Sequence, residues 1–92
     1  MIHALVKRKL FARNPNQTIR EVELQKELDI EAPPILGGAV NDNGHALQPV
    51  KSIQPNNGQL IITIQEATPL LSTLEELIHT YLAQGWQKVP NS

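Results

Sequence analysis

Between residues 20 and 30, in REVELQKELDI, apolar and polar positions alternate almost strictly. Val22, Leu24, Leu28 and Ile30 share one parity with Lys26, and Glu21, Glu23, Gln25, Glu27 and Asp29 take the other. A period of two marks a strand with one buried face, because successive side chains leave the pleated backbone on opposite sides. A helical reading competes, since Glu, Leu, Gln and Lys favour helix and Thr18 with Glu21 forms a capping-box pair. The length of the alternation favours the strand.

The preceding stretch, IHALVKRKLFA, pairs with it as an antiparallel hairpin through RNPNQ at residues 13–17, where Asn and Pro favour chain reversal. In a register that sets Phe11 opposite Ile19, Lys9 faces Glu21, Lys7 faces Glu23 and His3 faces Glu27. Val6 then faces Leu24 and Ile2 faces Leu28 on the other side. Opposite charges across a strand pair contribute about 0.2 to 1 kcal/mol each. One hairpin therefore explains both charge blocks, the basic Lys7, Arg8, Lys9 and Arg13 and the acidic Glu21 to Glu31.

Two prolines and two glycines make EAPPILGGA, residues 31–39, a crossover loop. Asn43-Gly44 and Asn57-Gly58 are both type I′ hairpin centres, since each residue tolerates positive φ. After the second comes LIITI, a continuous β-branched run suited to a central strand covered on both faces, with the C-terminal segment as its cover. In STLEELIHTYLAQ, residues 72–84, Leu74, Leu77, Ile78, Tyr81 and Leu82 form a helical stripe. Ser72 and Glu75 make a capping box and Gly85 takes the stop position. Trp86 and Val89 then fold back on the helix or add a short edge strand.

The resulting expectation is one domain over residues 1–92 of class α+β: an antiparallel sheet of about four strands in two hairpins, with one C-terminal helix packed on one face. The open face is then either solvated and charged or joined to another subunit. Composition limits the core, because the apolar share is 40% and Phe11, Tyr81 and Trp86 are the only rings. Burial must come from Leu, Ile and Val. The absence of Cys excludes disulfides, thiolate nucleophiles and Cys-type zinc sites. The basic residues follow a very short apolar start, the reverse of a secretory signal, and no apolar run approaches membrane-spanning length. A cytoplasmic protein with no membrane association is expected.

Candidate chemistry adds little to this picture. With Asn43-Gly44 as the fifth and sixth positions of a calcium loop, Ala39 and Val50 fall where acids are required. Ser52, Ser72 and Ser92 lack a nucleophile context, His3, His45 and His79 lack metal-ligand spacing, and Gly37-Gly38 belongs to no phosphate loop. Glu75 and Glu76 are explained by the helix dipole. No catalytic residue, cofactor or metal is therefore assigned.

The expected function is a small non-enzymatic interaction module or accessory subunit, binding a protein partner or a second copy of itself through a sheet face or edge strand. Candidate contact residues are Lys7, Arg8, Lys9, Phe11 and Arg13 in KRKLFAR, together with Trp86 as core plug or interface anchor. Nucleic-acid binding by KRKLFAR is the alternative, with cations for phosphate and Phe11 for stacking. A small enzyme using His45 and Asp42 is a third reading.

Overall fold

A computed structural model describes residues 1–16 and 19–90. Strands β1 (Ile2–Arg13), β2 (Ile19–Ile30), β3 (Val40–Asp42), β4 (His45–Leu47), β5 (Val50–Asn56) and β6 (Gln59–Ile64) come first. A 3-10 turn (Leu71–Thr73), helix α1 (Leu74–Ala83) and strand β7 (Gln87–Lys88) follow. The class is α+β, with a mostly antiparallel sheet and one short C-terminal helix. Residues 20–30 are strand, so alternation prevails over helix propensity, while Thr18 of the rival capping box lies outside the described residues. No helix among the described residues is long and apolar enough to cross a membrane.

The expectation of about four strands in two hairpins is corrected in three respects. The main sheet has five strands in the order β5-β6-β1-β2-β7, and β3 with β4 forms a separate two-stranded ribbon. Within the main sheet β1 and β6 run parallel, with Ala4 opposite Leu60 and Lys7 opposite Thr63. The physical reasons are local shortness and backbone degeneracy. Strands of two or three residues are too brief to show a period, and a ladder bonds N–H to C=O whichever side chains are attached.

The chain forms two compact units, Met1–Lys7 with Glu27–Gln65, and Arg8–Lys26 with Glu66–Ser92. Each takes one part of β1 and one part of β2. The first unit buries Ala4, Val6, Ile30, Val40, Leu47, Val50, Ile62 and Ile64. Ile62 and Ile64 are buried while Leu60, Ile61 and Thr63 are half-buried, so β6 is an interior strand fully covered on one face only.

Both hairpin tips in this unit have the backbone their sequences demand. Asn43 and Gly44 have φ of 49° and 89°, and Asn57 and Gly58 have φ of 51° and 81°. Positive φ at both central residues matches the right-handed twist of the arms. The Asn41 side-chain oxygen also accepts a 2.9 Å hydrogen bond from Gly44 N–H. The Asn-rich NDNG stretch is thus turn chemistry.

The second unit buries Leu10, Ala12, Val22, Leu24, Leu74, Ile78 and Trp86. Beside β1, the segment after β6 accepts Phe11 N–H at the Ala67 carbonyl and Arg13 N–H at the Pro69 carbonyl. The expected capping box of Ser72 and Glu75 does not form. The N-cap is Thr73, which makes no side-chain cap bond, because its hydroxyl donates to the Leu70 carbonyl as the 3-10 turn winds in. Gly85, at φ 94°, ends the helix and lets Trp86 N–H return to the Tyr81 carbonyl. The chain then adds β7 antiparallel to β2, pairing Lys88 with Leu24 and Gln87 with Gln25.

Candidate functional site

Cross-strand ion pairs organise the hairpin of β1 and β2. In the second unit Lys9 Nζ lies 3.4 Å from Glu21, and in the first His3 lies 4.0 Å from Glu27 and 3.2 Å from Asp29. The Lys9–Glu21 and His3–Glu27 pairs fall where the Phe11-to-Ile19 register puts them, whereas the shorter His3 contact is to Asp29, two residues further along β2. Even-numbered residues contact the helix instead: Arg8 donates to the Tyr81 hydroxyl at 3.2 Å, Arg20 pairs with Glu75, and Lys26 donates to the Gln84 carbonyl. Each of these contacts lies within the second unit, and only Arg20 with Glu75 is an ion pair.

KRKLFAR is accordingly divided by strand parity. Lys7, Lys9, Phe11 and Arg13 share the odd row, while Arg8 takes the row of the buried Val6 and Leu10. Phe11 is half-buried and Arg13 exposed. Trp86 is buried at 3% exposure and stands edge-on to Tyr81, with ring centroids 5.4 Å apart. His45 and Asp42 face one another across the β3-β4 turn, with Asp42 buried and His45 exposed. Among the described residues no cluster of three His, Asp or Glu side chains could hold a metal ion.

A concave region lies elsewhere, in the first unit. A groove of about 460 Å³ runs between the end of β2 and the β3-β4 ribbon. Ile30, Pro33, Pro34 and Val40 supply apolar lining, Asn41 and Asn43 supply amides, Asp29 and Glu31 bring carboxylates, and Met1 lines it too. No Lys, Arg or His is among its lining residues. Asn41 and Asn43 therefore serve twice, as turn formers and as groove wall.

The adjoining edge of β2 is open. β7 pairs with β2 only at Leu24 and Gln25, and the Val89 N–H reaches the Glu23 carbonyl at 2.9 Å. Because N–H and C=O alternate in direction along a strand, the backbone groups of Glu27 and Asp29 point to that same edge. Among the described residues no strand of the sheet pairs there. Pro33 and Pro34 lack N–H donors, so the chain that follows β2 is poorly suited to fold back and close its edge.

In the sequence these residues read as a crossover loop. Their one legible signal is the Pro-Pro pair directly after an alternating strand. The groove needs Asn41 and Asn43 from a distant hairpin, which no local pattern announces. In comparisons with family models, curated proteins and solved structures, nothing matches this chain.

Proposed function

We propose that this chain is a small protein-interaction module, an accessory subunit of the cytoplasm without catalytic chemistry of its own, which engages a protein partner along the outer edge of β2. The observation that carries this reading is the short cover on that edge, where β7 stops pairing at Gln25 and leaves Glu27 to Ile30 beside a groove. An unpaired strand edge offers a ready row of backbone donors and acceptors to an incoming chain. The opposite edge, β5, is a poorer template. It carries Lys51, Pro55 and a register shift between Val50 and Ser52. The helix is taken to cover the even-numbered sheet face, because Arg8, Arg20 and Lys26 all reach it.

Self-association through the same edge is disfavoured. Two antiparallel copies of β2 would set Glu27, Asp29 and Glu31 against one another, and like charges across a pair are destabilising. Nucleic acid is the competing occupant of the odd-numbered row, but Glu21 already compensates Lys9 there.

The test uses tagged wild-type and Glu27→Pro chains as baits in nuclease-treated lysate of the native host. The Glu27 N–H points outward, so proline removes an edge donor while sparing the ladder to β1. A stoichiometric protein partner held by the wild type and lost by a Glu27→Pro chain of unchanged circular dichroism is the expected result. Equal retention by both baits, or recovery only of nucleic acid that the nuclease removes, overturns the reading.

A further inference from the structure

From the groove in the first unit we infer the chemistry of the segment that docks there: an extended stretch of a partner protein in which basic residues alternate with aliphatic ones. The inference rests on the edge-docking reading above and specifies its partner. Three features of one place in the molecule carry it.

The first is charge. Asp29 and Glu31 bring two carboxylates to a wall that Met1 also lines and that holds no Lys, Arg or His side chain, and Glu27 precedes them on the same strand parity. His3 shares Asp29 and Glu27. Glu31 is exposed and forms no ion pair among the described residues. A Lys or Arg arriving beside the β2 edge meets three carboxylates, of which the Glu31 carboxylate has no ion partner among the described residues.

The second is apolar surface. Ile30 and Val40 line the groove, with Pro33 and Pro34 beside them. Just outside it, Ile35 and Leu36 stand 75% and 66% exposed on a tight turn. That turn is held in place. Gly38 N–H bonds the Ile35 carbonyl, Gly37 N–H bonds the Val50 carbonyl at 2.8 Å, and Val50 N–H bonds the Gly38 carbonyl at 2.9 Å. Gly37 sits at φ 79°, and a Cβ on Gly38 would meet Ile35 Cγ1 at 2.9 Å. Two large aliphatic side chains are thus presented to solvent on a fixed support, ready to lose water against a partner.

The third is the backbone edge itself. Period two sends alternate side chains of an added strand to opposite faces, so a basic row and an aliphatic row can be satisfied together. The chain's own basic stretch, Lys7 to Arg13, cannot be the donor in a second copy. It lies in β1, flanked by β2 on one side and by β6 and the Ala67–Pro69 segment on the other.

The experiment is a titration of the full-length, ¹⁵N-labelled chain with two short capped peptides, one alternating Lys with Val and the other alternating Glu with Val. For the Lys peptide, saturable amide shifts confined to residues 27–43 are expected, with affinity falling several-fold as salt rises from about 50 to about 200 mM. The Glu peptide should bind at least about tenfold more weakly. Asp29→Lys/Glu31→Lys should reverse that preference, and the near-isosteric Asp29→Asn/Glu31→Gln should weaken the Lys peptide while leaving the spectrum folded.

Equal affinity for the two peptides, shifts centred on Glu21 and Glu23, or no saturable shift at millimolar peptide would overturn the inference. Failure here with a partner that Glu27→Pro still releases removes the charge assignment and leaves the edge reading standing. Peptide binding at the groove, with a native partner indifferent to Glu27→Pro, removes the edge reading instead.

Discussion

β1 and β2 finish differently in the two units. In the second, Lys9 meets Glu21, Arg20 meets Glu75, β7 covers the β2 edge at Leu24 and Gln25, and Trp86 fills the core. In the first, Glu27 to Ile30 have no outer strand among the described residues, and Asp29 and Glu31 line a groove with no Lys, Arg or His side chain in its wall. Charge density alone does not separate the two ends. What separates them is the outer edge of β2, covered by β7 in the second unit and uncovered in the first, together with Glu31, which has no ion partner among the described residues. KRKLFAR draws the eye in the sequence, yet its Lys9 and Arg8 are engaged by Glu21 and Tyr81. The quieter EAPP segment borders the open edge.

Breaking the closed end should have the largest effect. Trp86→Ala removes a buried ring and its edge contact with Tyr81, and urea unfolding should show a loss of about 3 to 5 kcal/mol. A loss under about 1 kcal/mol would mean that the ring contributes little to the core, and would weaken the contrast between the ends. Next comes the support of the exposed aliphatic pair. Gly37→Val forces a β-branched residue to positive φ and should cost about 1 to 2 kcal/mol in the same measurement. It should also shift the Ile35 and Leu36 amides.

Smaller effects sharpen the comparison of charges. A double-mutant cycle on Lys9→Ala and Glu21→Ala should give a coupling of about 0.2 to 1 kcal/mol, as half-exposed pairs do. Glu31→Gln should change stability by less than about 0.5 kcal/mol, since Glu31 is exposed and has no ion partner among the described residues. Thermal melts of the single variants separate the outcomes. If Glu31→Gln destabilised as strongly as Glu21→Ala, its carboxylate would be serving the fold rather than remaining available for a ligand.

Much of this was legible in residues that act locally. The alternation of REVELQKELDI overrode its helix-forming composition, because a strand with one buried face satisfies all four apolar side chains together. Asn43-Gly44 and Asn57-Gly58 announced their turns, and Gly85 announced the helix end, since each needs a backbone conformation that few residues adopt without strain. The Ser72 and Glu75 capping box failed for an equally local reason. The 3-10 turn moved the N-cap to Thr73.

The sequence by itself therefore determined the strands with a readable period, their tight turns, the helix and the buried parity of β1 and β2. The parallel joining of β6 to β1 and the placing of the β3-β4 ribbon beside the end of β2 came from tertiary structure alone, which also realised as β7 the short edge strand that the sequence had offered after the helix. Side-chain periodicity specifies which face of a segment is buried. Backbone hydrogen bonds are chemically alike along the chain, so the choice of neighbour depends on how distant segments together exclude water. The groove exists through that choice, and so does the open edge that accompanies it.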